Sequence, residues 1–202
     1  MCGRFYVSED GDITPWIDEA NRKMMVLTGN ATIHAGEMFP TDTLAVIANG
    51  KTQNYGVFPM KWGYSIRDIK RPLINARVET VRQRPVFRES FACRRCLIPA
   101  DHYFEWSHPE FGHPTKYSIR PDLSGYFFLA GLYRFETESI LPECVILTRE
   151  PSAEIVPIHN RMPVIFSAEQ GKIWLQRDVD AERLIRDVTY RMIIHEAEKS
   201  GA

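Results

Sequence analysis

Residues 126–148 read YFFLAGLYRFETESILPECVILT. Two runs rich in aromatic and β-branched residues, Tyr126–Leu132 and Glu143–Thr148, flank a charged, proline-containing segment with no helical pattern. Such runs read as strands, and strands joined without a crossover helix lie antiparallel. The same composition recurs at Leu44–Ala48, Thr52–Pro59, Lys116–Ile119 and Pro163–Phe166. Helical spacing is confined to other places. In Asp12–Met25, Ile13, Trp16, Ile17, Ala20 and Met24 recur near three and four residues apart behind Thr14-Pro15, a possible cap and first turn. Val86–Cys93, Ala168–Leu175 and Ala181–Ile194 read as further helices. Because helices do not alternate regularly with strands, the expected class is α+β, one domain over residues 1–202 around a mostly antiparallel sheet. Ser107–Pro114 is expected to be a surface loop, since β-rich sequence resumes at once.

Hydrophobic residues make up 44% and charged residues 25%, the balance of a soluble globular chain rather than a disordered one. No apolar run approaches the ~18 residues that a membrane helix needs, and no basic segment followed by an apolar run opens the chain. A cytoplasmic location is therefore expected. The four cysteines are too sparse for a disulfide scaffold and are expected to be reduced. Net charge is −1, so nucleic-acid binding has no global electrostatic support. Locally it does: from Lys61 to Arg95 ten basic side chains face three acidic ones and are interleaved with Trp62, Tyr64, Phe87 and Phe91. Cations that track phosphates and rings that stack on bases have this composition, as does a solvated helix face over buried aromatics.

Cys93-Arg-Arg-Cys96 has the spacing of half a zinc site or of a redox dithiol, but no second ligand pair accompanies it. His102, His108 and His113 fall in a Pro/Gly-rich region, so packing cysteines and no metal or organic cofactor are expected. Cys2 is different. Loss of Met1 would leave a free α-amine and a thiol on one residue, a 1,2-aminothiol. With reference pKa values near ~8 and ~8.5, such a pair holds some neutral amine at cytosolic pH, and the amine attacks aldehydes. The neighbouring thiol can then capture the imine as a five-membered thiazolidine. Thiolate nucleophilic catalysis and an inert cysteine are the alternatives. Three other stretches set polar groups among apolar ones: Leu73–Arg77, Tyr103–Trp106 and Ile158–Pro163. A carboxyl between Phe104 and Trp106 would titrate high, and His159 titrates near neutrality unaided.

In order and spacing, Cys2-Gly3-Arg4-Phe5, Trp62-Gly63, Asn75-Ala76-Arg77 with Glu79-Thr80, Arg95–Asp101, Glu105-Trp106 and His159–Pro163 resemble the SOS-response-associated peptidase (SRAP) family. The resemblance implies a barrel-like sheet with flanking helices and a monomer that shields abasic sites in single-stranded DNA. It makes Cys2 the nucleophile through a thiazolidine with the ring-opened sugar aldehyde. Asn75 would orient its amine or thiol, Glu105 would move protons, and His159 would assist ring opening. Arg77 and Arg161, with Arg4, would hold phosphates, while Trp62, Pro40 and Trp106 would shape the cleft or stack on bases. The family name implies a second activity, a cysteine peptidase or self-processing enzyme using Cys2. A third reading is non-covalent single-strand binding. The chain departs from the family pattern at Glu37-Met38-Phe39, ahead of Pro40-Thr41, after Trp62-Gly63, and at Asn160.

Overall fold

The computed structural model describes residues 2–9, 11–50, 55–107 and 113–197. In chain order the first half contains β1 (Arg4–Val7), α1 (Thr14–Thr28), β2 (Gly36–Met38), β3 (Thr43–Asn49), β4 (Tyr55–Trp62), β5 (Tyr64–Ile66), β6 (Ile69–Leu73), β7 (Asn75–Arg77) and α2 (Pro85–Cys93). There follow β8 (Arg95–Ala100), β9 (His102–Trp106), β10 (Lys116–Pro121), β11 (Phe127–Arg134), β12 (Glu143–Arg149), β13 (Met162–Pro163), β14 (Ile165–Phe166), α3 (Ala168–Trp174), α4 (Ala181–Asp187) and β15 (Met192–Glu196).

The two strands expected in segment 126–148 form as β11 and β12, and they pair antiparallel, with Gly131 opposite Ile146 and Arg134 opposite Glu143. From this pair the larger sheet runs β12-β4-β3-β8-β11, and the β11–β12 pairing closes these five strands into a ring. Closure leaves few free edges, with β13 and β14 as short additions. The second sheet, β15-β10-β9-β1-β2, is antiparallel at every pairing. Side chains of both sheets, among them Phe5, Tyr103, Ile119, Val46 and Ile98, meet in one hydrophobic cluster. The helix α1 buries Ile17, Ala20 and Met24, starts on Pro15, and stops at Gly29, which takes a left-handed φ of 71°.

The parallel pairings lie along β12. Cys144 is opposite Trp62 at the end of β4, and Ile146 is opposite Asn75 at the start of β7. One side of β12 is thus shared by two strands, and the hairpin β5–β6 is looped out between them. Gly63 permits the departure: its φ is 122°, and an added Cβ would lie 2.8 Å from Cβ of Pro72. Asn75 owes its position to this detour.

Several elements differ from the sequence reading. The helix expected over Ala181–Ile194 ends at Asp187, where Val188 turns extended, and Met192–Glu196 pairs with β10. β-branched residues at an open sheet edge favour the strand there. Of the strand expected over Thr52–Pro59, residues 52–54 lie outside the described residues. His102 is in β9 rather than in a loop, stacked on Tyr6 with centroids 4.8 Å apart. Ser107 and Thr115 close the β9–β10 connection, whose residues 108–112, including His108, lie outside the described residues. Cys96 is buried, as expected of a packing cysteine, but Cys93 is exposed at the end of α2. Among the described residues no helix is long and apolar enough to cross a membrane.

Ring closure is tightest at Gly131, where an added Cβ would meet Cys96 Sγ at 2.8 Å, the Val145 carbonyl at 3.1 Å and Ile98 at 3.2 Å. Backbone on one side and core on the other cannot both yield. Gly131→Ala is expected to lose about 1–3 kcal/mol in urea unfolding, with an unchanged m-value.

Candidate active site

The strand β1 lies between β9 and β2, which carries the residues before it into the interior. Cys2 is wholly buried. Its carbonyl accepts a 3.0 Å hydrogen bond from Asn75 Nδ2, and its thiol lies 4.0 Å from the Arg4 carbonyl. Burial, reinforced by the Glu105 charge, pushes the thiol pKa far up, so the sulfur is held as a thiol. Glu105, on β9 and 3% exposed, is pushed by burial up to about 7. Its Oε2 is 3.9 Å from Nε2 of His159.

His159 sits on a turn that follows β12. Its backbone N–H donates to the Ile155 carbonyl at 2.9 Å, and its Nδ1 accepts the Arg161 backbone N–H at 3.0 Å. That bond leaves the proton of the neutral ring on Nε2, the nitrogen that faces Glu105. Four chain regions far apart in sequence therefore converge: Asn75 bonds Cys2, Cys2 senses Glu105, and His159 reaches Glu105. The group can pass a proton near pH 7 in a dry setting next to a sulfur and a nitrogen.

Arg161 is not placed to hold a phosphate. It is 8% exposed; its two terminal nitrogens bond Glu79 Oε1 and Oε2 at 2.9 Å each, and one also bonds the Thr148 carbonyl at 2.7 Å. Although burial alone would raise the Glu79 carboxyl, these bonds hold it below its ordinary value. Trp62 offers no stacking face either. It is wholly buried, packs 5.2 Å from Phe5 and donates Nε1–H to the Ile74 carbonyl. Tyr64, Phe87 and Phe91 are likewise interior. The basic stretch is partly committed as well, with Arg82 on Glu182, Arg94 on Glu89, and Arg95 on the carbonyls of Trp174 and Gln176. Arg77 is exposed, as are Arg67, Lys70 and Arg71 of the β5–β6 hairpin.

A second cluster joins Arg4, Pro40 and Trp106 with Glu37, Phe39, Phe104 and Lys116, none of which has a site role in the sequence reading. Arg4 and Lys116 both bond Glu37, at 2.8 and 2.9 Å. Arg4 lies 3.9 Å over the Phe39 ring and 5.7 Å from Trp106, while Lys116 lies 3.8 Å over Phe104. Burial works to raise the Glu37 carboxyl, but its two cationic partners hold it low, so it remains ionised. Phe39, Pro40, Thr41 and Asp42 form a turn closed by Asp42 N–H on the Phe39 carbonyl. Thr41 takes a φ of 80° there, a costly conformation for a β-branched residue. Phe39 is 40% exposed as a result. A departure from the family pattern was the available signal for Phe39 and Glu37; for Lys116 there was none.

The model of the family described as SOS response associated peptidase (SRAP) matches residues 1–199. The chain belongs to this family. Among SRAP relatives, the abasic site processing protein YoaM of Bacillus subtilis (strain 168) is 33% identical over 184 residues, covering 87% of this chain and 79% of the relative. The abasic site processing protein YedK of Escherichia coli (strain K12) is 28% identical over 143 residues, covering 69% and 64%. In structure the chain is similar to a protein from Bacteroides thetaiotaomicron (TM-score 0.75, 19% identity, covering 96% and 91%). It is also similar to a phage-related protein from Bordetella bronchiseptica (TM-score 0.74, 18% identity, covering 98% and 95%). These neighbours support the α+β SRAP architecture.

Two measurements follow from the geometry. Since the Glu105 pKa is raised, its protonated form stabilises the fold below about pH 4.5, and that contribution is lost as pH rises through about 7. Glu105→Gln is expected to flatten this part of the stability–pH curve, which spans roughly 3 kcal/mol in the parent. Arg161→Lys cannot reproduce the two-pronged grip on Glu79, and is expected to cost about 2 kcal/mol in urea unfolding.

Proposed function

We propose that this protein acts on abasic sites in single-stranded DNA, forming a covalent thiazolidine through Cys2 once Met1 has been removed. The observation that carries the reading is the buried first turn of chain: a thiol kept protonated, an α-nitrogen fixed next to it through the Asn75 bond to the Cys2 carbonyl, and a carboxyl titrating near 7. The names of the SRAP relatives, abasic site processing proteins, support the substrate class.

The chemistry is a condensation. The neutral α-amine of Cys2 adds to the sugar aldehyde, and the carbinolamine loses water with a proton from the Glu105 carboxylic acid. The thiol then adds to the carbon of the resulting protonated imine, giving its proton to the Glu105 carboxylate; the C=N pair moves to nitrogen, which becomes neutral, and Glu105 is again a carboxylic acid. Aminothiol and aldehyde yield thiazolidine and water, with no redox change. His159, donating from Nε2, assists opening of the sugar and proton exchange with Glu105. Burial of the thiol favours this amine-led route over a thiolate peptidase, which needs the ionised sulfur that burial suppresses.

Single-stranded DNA is the partner that the surface fits, through Arg77, the exposed arginines and lysine of the β5–β6 hairpin, and the Arg4–Phe39–Trp106 cluster. Arg4 and Lys116 supply the positive charge around one ionised carboxylate, and Phe39 supplies an exposed ring held out by a strained turn. The residues of the site work within one chain, in keeping with a monomer.

On a denaturing gel, Met-free protein mixed with an oligonucleotide bearing one abasic site is expected to give a shifted, heat-stable band that Cys2→Ala abolishes. No DNA-dependent band, or one that persists in the variant, overturns the reading. Phe39→Ala is expected to raise the DNA concentration for half-maximal cross-linking roughly tenfold, the scale of one lost base–ring stack.

A further inference from the structure

Tyr103 carries a polar atom with no visible employment. The residue is wholly buried on β9, between Phe5 of β1 and Ile119 of β10, and its hydroxyl has no hydrogen-bond partner among the described residues. Nearly all buried hydroxyls are bonded, because an unbonded one bears its full desolvation cost. Phenylalanine would fill the same space without that cost, and the neighbouring positions Phe5 and Phe104 already use it. The location explains the exception. Side chains alternate along a strand, so Tyr103 and Glu105 project from the same face of β9. After burial itself, the charges that Cys2 and Glu105 carry when ionised would further oppose ionisation of the phenol. It therefore stays a neutral O–H, able to donate.

We propose that the Tyr103 hydroxyl is a hydrogen-bond donor held for the reaction at Cys2, its acceptor being the sulfur as it gives up its proton and bonds to the imine carbon. The inference rests on the thiazolidine reading and assigns to it one further group. In the resting protein the hydroxyl bonds neither the thiol nor any other described group, and the thiol faces the Arg4 carbonyl. As the S–H proton moves to the Glu105 carboxylate, charge builds on sulfur, and a buried donor with no competing partner can turn to it and stabilise it. Amine addition and loss of water do not require Tyr103. Ring closure does.

The test compares the Met-free full chain with its Tyr103→Phe variant on an oligonucleotide bearing one abasic site. With DNA saturating, the heat-stable cross-link is expected to form about tenfold more slowly in the variant near neutral pH, the factor that one hydrogen bond to a charged group supplies. Its pH–rate profile moves to higher pH by about one unit. Cyanoborohydride, which reduces the imine to a stable amine, is expected to trap adduct at the same rate in both proteins. Urea unfolding shows the variant to be at least as stable as the parent. Equal cross-linking rates and profiles overturn the proposal, as does a trapped imine slowed as much as the final product. Failure of the parent itself to give a Cys2-dependent band is distinct, and overturns the thiazolidine reading instead.

Discussion

Everything at the site depends on one unusual burial: the second residue of the chain is completely enclosed. Chain ends normally fray because few contacts offset the entropy of ordering them. Here β1 lies in the middle of a sheet, paired on both sides, and the carbonyl just ahead of it is held by Asn75 from a different sheet. Cys2 is thereby as confined as the core. Its thiol and α-nitrogen are attached to that confined backbone, so their geometry is set by sheet registry rather than by a loop.

Enclosure also sorts the charges. In the centre are groups that desolvation keeps neutral or close to neutral: the Cys2 thiol, the Tyr103 phenol, and the Glu105 carboxyl. Around them stand fully ionised pairs, Arg161 with Glu79, and Arg4 and Lys116 with Glu37. An ionised pair satisfies itself and gives little proton traffic, whereas a carboxyl near its midpoint exchanges protons readily. The arginine pair still affects the centre indirectly, because the backbone of Arg161 fixes the tautomer of His159.

Which parts of this were legible in the sequence follows from the range of the forces involved. Strands such as β11 and β12 and the helix α1 announce themselves in short-range periodicity, and the motif pattern named Cys2, Asn75, Glu105 and His159, which the fold brings near one another. Exposure is not local. Trp62 and Arg161 sit in recognisable motifs, yet one is core and the other is consumed by a carboxylate 82 positions away in sequence. Lys116 is an unremarkable lysine at the start of a strand until β9 and β10 bring it over Phe104 and against Glu37. The tail of the helix predicted at Ala181–Ile194 failed for the same reason: a free edge of β10 captured its apolar residues as β15.

The looped-out hairpin between β4 and β7 ties these two levels together. Were β4 to continue along β12, its side chains would occupy the edge that β7 now takes, and Asn75 would not face Cys2. Gly63 breaks the strand, Trp62 holds the departure by bonding the Ile74 carbonyl, and Ile146 of β12 bonds that same carbonyl. A buried tryptophan that looked like a stacking residue thus does its work from beneath, fixing the backbone one residue ahead of Asn75.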